Sequence, residues 1–304
     1  MAARTRVLES GTIYGVSGDF ATSGTADLCS LNGIERSPMI AIGVVVVLVA
    51  MLLLLYKRNV HRNDEALATK WRAYGSGRYD LLLTVEHDSP WCLYFRGRGL
   101  FEAGMFEEAA ECFRQADLRD YSNDKKALYR EALGDLRVEL GQIDEALECF
   151  ASGAEQSPGR GGCHRGMAVA LLRVGRRGAL PWARKALPLD EGREGGRVSS
   201  HDIEIHDVRA WNVVLSLAVL AWAVAAETGD SAEVEQILAR LMDLAPERVI
   251  PVGAQAFYHA DRAYAALGQE AKSVVAFAKA AELDPKGQYG RLARAEGGEI
   301  RLSV

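Results

Sequence analysis

The densest gathering of side chains that could do chemistry is His201-Asp202-Ile203-Glu204-Ile205-His206-Asp207. Imidazoles and carboxylates this close together would suit a metal ion and metal-dependent catalysis. The spacing argues otherwise. It does not match HExxH, where two histidines sit one helical turn apart. In an extended strand His201 would point away from both Glu204 and His206. The stretch reads instead as a polar entry into the following helix, with Asp207 as its cap. Gly159, Gly161, Gly162 and Gly166, clustered around Arg160 and Arg165, lack the preceding strand that a phosphate-cradling loop requires. With no nucleophile–base–acid set and no paired catalytic carboxylates, the chain reads as no enzyme, with no cofactor and no metal. A metal-dependent enzyme built on His201 and His206 is the lesser alternative. Cys29, Cys92, Cys112, Cys149 and Cys163 form an odd set without a CxxC pair, so neither a disulfide framework nor a zinc knuckle is indicated. Unpaired thiols fit a reducing compartment.

The elements that would position any site announce themselves by repetition. Gly104-Met105-Phe106-Glu107-Glu108-Ala109-Ala110-Glu111-Cys112-Phe113 returns 37 residues later as Gly141-Gln142-Ile143-Asp144-Glu145-Ala146-Leu147-Glu148-Cys149-Phe150. A recurring unit of this length implies helical hairpins stacked into an array, each unable to bury its apolar side alone. Cys112 and Cys149 hold the same place in their units and read as small packing residues. The formal charge of −5 and pI near 5.8 give no attraction toward nucleic acid.

Met39 to Tyr56 carries no charged residue. A helix over it rises about 27 Å, close to the roughly 30 Å thickness of a hydrocarbon layer. It is apolar on every side, as a surface helix cannot be. Lys57, Arg58, His61, Arg62, Lys70 and Arg72 follow it, while only Glu35 and Arg36 lie just before. That bias places the N-terminus outside and the rest in the cytoplasm of a single-pass protein of the cell membrane; Arg4 and Arg6 oppose it slightly. Residues 1–38, rich in Gly, Ser and Thr, read as a disordered tail, with Met39 as an alternative start. Residues 57–63 form a basic linker.

The repeats resemble the tetratricopeptide repeat family, a helix-turn-helix of about 34 residues. Leu93, Gly97, Leu100, Ala109, Phe113 and Ala116 match in a unit at 90–122, with Arg96 and Tyr121 departing. Leu133, Gly134, Ala146, Phe150, Gly153 and Pro158 match at 127–160, where Arg137 replaces a tyrosine. Phe257, Tyr264, Gly268, Phe277, Ala280 and Pro285 match at 254–287, with Asp261 in the place of a glycine. Residues 161–190, with a shifted turn at Gly175, and 208–246, with Trp222 at the glycine position, read as degraded units. A half-unit, with helices at 63–74 and from Tyr79 to Glu86, would cap the start. The expectation is an all-α, tetratricopeptide-like solenoid of five to six units behind one transmembrane helix. Its blocks are 64–190 and 208–290, separated by a flexible loop at 191–207 and followed by a tail at 291–304. The uncharged run 210–226 fits either a buried solenoid helix or a second membrane span.

The resemblance also implies which first-helix positions line the inner surface. They are Trp91, Tyr94, Arg98, Phe101 and Glu102 in the first full unit, then Leu128, Glu131, Asp135, Val138 and Glu139 in the second. In the last, Tyr258 and Arg262 repeat the pairing of Tyr94 and Arg98. From these, a partner groove of Trp91, Tyr94, Arg98, Phe101, Glu131, Asp135, Tyr258 and Arg262 is expected. Aromatic and arginine anchors suit a protein or peptide partner, or else the same side chains simply cover the groove. The family's clamp for acidic chaperone tails uses Lys and Asn where this chain has Tyr94 and Arg98, so that activity is not implied. The functional expectation is a membrane-anchored scaffold that recruits or assembles proteins through the groove, with self-association open. The alternative is an envelope-side assembly factor or holdase for secreted chains.

Overall fold

Most of the longer helices here run into a glycine or stop just short of a proline, and this punctuation folds the chain into hairpins. The computed structural model describes residues 51, 69–84, 89–192 and 208–302. Two compact units are present, Met1–Asn59 and Val60–Val304; the account below concerns the second. The tail 1–38, the segment 39–56 apart from Met51, the linker 57–63, and the stretch 193–207 with His201 and His206 lie outside the described residues.

Every regular element among the described residues is helical. A short α1 (69–75) and α2 (Asp80–Leu83) come first. Five hairpins follow: α3 (Pro90–Ala103) with α4 (Phe106–Arg119), α5 (Asn123–Glu139) with α6 (Ile143–Gln156), α7 (Gly161–Arg173) with α8 (Ala179–Glu191), α9 (Val208–Thr228) with α10 (Ser231–Asp243), and α11 (Ile250–Ala266) with α12 (Glu270–Leu283). α13 (Gln288–Leu302) ends the series, and a single 3-10 turn, Pro246–Arg248, precedes α11. Local signals set these bounds. The Ser89 hydroxyl accepts from the Cys92 amide at the start of α3, where Pro90 needs no donor of its own. Gly104, at φ 80°, turns the chain into α4 through a left-handed conformation that a side chain would disfavour. The Asp230 carboxylate caps α10 by accepting from the Ala232 and Glu233 amides, each at 3.0 Å.

In the first two hairpins, one glycine on the first helix receives one ring from the second. A Cβ on Gly97 would fall 2.6 Å from the Phe113 ring, and one on Gly134 would fall 2.4 Å from Phe150. Both rings are fully buried, so this contact sets how closely the paired helices approach. In the last hairpin Asp261 takes the glycine's place and accepts a hydrogen bond from Ser273 on α12. The array is therefore a helix-turn-helix solenoid: α3, α5, α7, α9, α11 and α13 pack in succession along one side, while α4, α6, α8, α10 and α12 each back their own hairpin.

The structure departs from the sequence reading in three places. α9 packs directly on α7 and α8, and one apolar cluster has members on both sides of 191–207, so the helices flanking that stretch form one array. Residues 291–302, expected as part of a tail, belong to α13. One helix also carries a proline in its interior, Pro188. α8 runs on past it to Glu191, and that last turn carries Asp190 into a buried ion pair with Arg165. Finally, residues 69–84 do more than cover the first hairpin. Trp71 packs on Phe95 of α3 at 4.7 Å between ring centres and on Trp211 of α9 at 5.4 Å. Gly77 lies against Ile250 of α11, and the Tyr79 hydroxyl donates to Asp284 between α12 and α13. The front of the array thus meets its back. α9 is long and apolar enough to cross a membrane, but 83% of its apolar stretch is buried among α7, α8, α10 and α11.

Candidate functional site

α5 presents Leu128, Glu131, Asp135, Val138 and Glu139 along one face, at the three- and four-residue spacing that stacks side chains on a helix. That face is one wall of a cleft partly open to solvent, whose space comes to about 800 Å³ with the solvent at its mouth included. Tyr94 and Arg98 of α3 flank it, Arg160, Arg165 and Val169 enter from α7 and its leading turn, and Trp211, Asn212 and Leu215 come from α9. Val252 and Gln255 of α11, Tyr289 of α13, and Trp71 and Tyr74 of α1 complete it. Each inner helix of the array contributes at least one side chain.

The three carboxylates on this face of α5 have different fates. Glu131 is buried, accepting from Arg160 Nε at 3.0 Å and from Arg165 Nη2 at 2.9 Å. Burial alone would push its pKa up, but the two guanidinium groups hold it below the usual carboxylate range. Glu139 accepts from Arg173 Nη2 at 2.9 Å and from the Gln288 amide at 3.1 Å; burial leaves its pKa raised, with Arg173 and Gln288 pulling it back. Asp135, between them, has one ion-pair contact among the described residues, Arg98 Nη1 at 3.8 Å, too long for a hydrogen bond. Burial and the like charge of Glu131 raise it to about 7, against Arg98 and Arg165, which lower it, while Glu139 adds to the rise. The side chain keeps 32% exposure, and Asp135 is one of the residues lining the cleft.

Arg165 organises this floor. Besides Glu131, its guanidinium donates to Asp190 Oδ2 at 2.9 Å and to Asn212 Oδ1 at 3.3 Å, and Ser216 Oγ donates to the same Asp190 oxygen at 2.6 Å. One side chain therefore ties α5, α7, α8 and α9 together in a low-dielectric setting, where such bonds are strong and their loss is costly. The glycines around it now have a reason. A Cβ on Gly162 would fall 2.2 Å from the Glu131 carboxyl, and one on Gly161 would fall 2.4 Å from that of Asp190. They admit carboxylates from neighbouring helices rather than phosphate.

Arg98 is committed on another side. It lies over the Tyr74 ring at 5.0 Å, donates to the Tyr74 hydroxyl and sits 3.5 Å from Glu102. Glu102 in turn accepts from the Gln288 backbone amide at 2.9 Å. This puts a carboxylate of α3 at the N-terminal end of α13, where the helix dipole favours negative charge. Arg291 donates to the Glu102 carbonyl, so the Arg98–Glu102 pair is also the seam that joins the two ends of the array.

Of the eight residues expected in a partner groove, Tyr94, Arg98, Glu131 and Asp135 meet in this cleft. Trp91 instead packs on Tyr94, Phe95 and Tyr129. Phe101 is buried against Phe106 beneath the Arg98 guanidinium. Tyr258 and Arg262 form a second cluster, with Arg262 4.9 Å above the Tyr258 ring and the Tyr258 hydroxyl accepting from Arg173 at 2.8 Å and donating to Glu296 of α13 at 3.0 Å. The sequence reading missed Trp71, Tyr74, Arg160, Arg165 and Trp211. The glycine cluster around Arg160 and Arg165 was the one local signal that side chains crowd there.

No family model matches the chain, and no curated protein matches it. Among solved structures it is similar to YrrB, described as a tetratricopeptide-repeat protein with an unusual peptide-binding site; the match covers 71% of this chain and 97% of that one, at 17% identity and a TM-score of 0.35.

Proposed function

We propose that the protein is a membrane-anchored interaction scaffold whose inner helices engage a protein or peptide partner at the cleft on α5. The observation that carries this reading is convergence. Six inner helices and α1 direct side chains into one partly open space, aromatic, arginine and carboxylate groups among them. The uncharged run 39–56 and the basic residues after it support an anchor with the array in the cytoplasm. Recruitment at the bilayer is the role that an anchor joined to an interaction surface performs best. The chaperone-like alternative, with the array outside, is separated by topology: protease added to spheroplasts spares a cytoplasmic array and digests an external one.

The test of the interaction reading is site-specific photocrosslinking of the full chain in intact membranes. A photoreactive residue replaces Val138, which lines the cleft, or Val275, which is 70% exposed on α12. An adduct of defined mass from position 138 and none from 275 is the expected result. Adducts from 275 alone would remove the cleft as the partner surface.

A further inference from the structure

We propose that Asp135 is the receptor for a lysine side chain of a partner polypeptide, whose ammonium pairs with the carboxylate while its alkyl stem lies along the cleft wall. This rests on the interaction reading above and gives its partner a chemistry.

A row of like charges on α5 is unevenly paired. Glu131, Asp135 and Glu139 follow one another at four-residue intervals on α5, an arrangement that destabilises a helix unless cations intervene. The chain supplies them for the outer two. Arg160 and Arg165 hold Glu131, while Arg173 holds Glu139. Among the described residues the middle carboxylate has one ion-pair contact, Arg98 at 3.8 Å, and Arg98 is itself engaged by Tyr74 and Glu102. A core designed for stability alone would place a neutral residue there; retaining an ill-paired acid is the kind of local inconsistency expected where an outside ligand completes the set. The carboxylate also faces an accessible space rather than packed neighbours.

The surroundings select the cation. Leu128, Val138 and Val169 offer aliphatic wall to a slender stem. Tyr94 and Trp211 are among the residues lining the same space, and aromatic rings favour a nearby positive charge. An ammonium is a compact point charge with freely turning donors, whereas a guanidinium demands a planar fork. The fork sites here are already filled by Arg160 and Arg165 on Glu131. An acidic partner side chain would instead meet an uncompensated carboxylate.

The experiment uses the full-length chain in detergent micelles with acetyl-Gly-Ser-X-Ser-Gly-amide, X being lysine, norleucine or glutamate. Tryptophan fluorescence reads binding, because Trp71 and Trp211 line the cleft. Saturable binding of the lysine peptide is expected, with the norleucine and glutamate peptides weaker by about tenfold or more, as loss of a charge-assisted pair implies. Asp135→Asn should weaken the lysine peptide by a similar factor while retaining wild-type helical content and an unfolding midpoint no lower than wild type. No binding of the lysine peptide, equal binding of the norleucine peptide, or undiminished binding by Asp135→Asn would each overturn the assignment. n-Butylamine separates the sources: binding as tight as the lysine peptide would overturn a polypeptide as the occupant. An intact adduct from position 138 alongside a failed peptide result would sink this assignment alone, whereas loss of the adduct as well would sink the interaction reading beneath it.

Discussion

Replacing Asp135 by asparagine is expected to stabilise the protein, and to do so more at high pH than at low. In the fold the carboxyl rises to about 7 through burial and the neighbouring Glu131, while in the unfolded chain it ionises near its ordinary value of about 4. The sign follows from linkage. Between these two values the folded state holds the proton that the unfolded state has released, so stability falls as pH climbs from 4 to 7 and stays low above. Undiscounted, a rise of this size corresponds to roughly 4 kcal/mol at pH 8. About a third of the side chain faces solvent in the cleft, and halving for that screening leaves about 2 kcal/mol. Asparagine removes the charge and keeps the shape, so the variant should gain about 2 kcal/mol at pH 8 and under about 1 kcal/mol at pH 5. Urea unfolding of both proteins at the two pH values, followed by circular dichroism, measures it. A variant less stable than wild type at pH 8, or a gain independent of pH, would refute the claim that this carboxylate is held at a cost.

Two further outcomes test the same electrostatics. Arg165→Leu should lose about 3–5 kcal/mol, because it leaves Glu131 and Asp190 buried with one cation fewer between them; a loss under about 1 kcal/mol in urea unfolding would contradict its place as the tie between four helices. His259, 1% exposed with Nδ1 lacking a partner, is lowered to about 3 by burial and by Arg173, Arg165 and Arg262. A base whose folded value is depressed costs stability as pH falls through its unfolded value near 6.5, so between pH 8 and 5 it should contribute a loss of about 2 kcal/mol. His259→Phe, which keeps a ring against Trp222, should lack that part of the loss, and an unchanged acid dependence would show that His259 is not its source.

The hairpins were legible because their chemistry is local. Gly97 with Phe113, and Gly134 with Phe150, are each one glycine and one ring in a single helical pair, and the spacing between them survives in a linear sequence. The α5 residues that line the cleft were named through the resemblance, whose first-helix positions put Glu131 and Asp135 on one face. Position along the array was less legible. Tyr258 and Arg262 occupy the matching places on α11, yet α13 packs over them and Glu296 engages both, and nothing in α11 itself announces that cover. α13 was missed because Ala295-Glu296-Gly297-Gly298 has little helix propensity of its own; α13 is fixed instead by Glu102 and Asp284, whose carboxylates accept from the Gln288 and Gly287 amides at 2.9 Å. The reach of Trp71 to Trp211 spans 140 residues of sequence, and no local pattern encodes such a contact.

The central claim is that the two ends of the array meet, which turns an open groove into a bounded cleft. Hydrogen exchange on the full-length chain, resolved to individual peptides, tests this most directly. The account expects amides of residues 71–83 and of the first two turns of α13 to exchange as slowly as those of α5, since they share Glu102 and Asp284 as a seam. Exchange of either segment at the rate of an unprotected loop, with α5 still slow, would show an array that stays open and would contradict it.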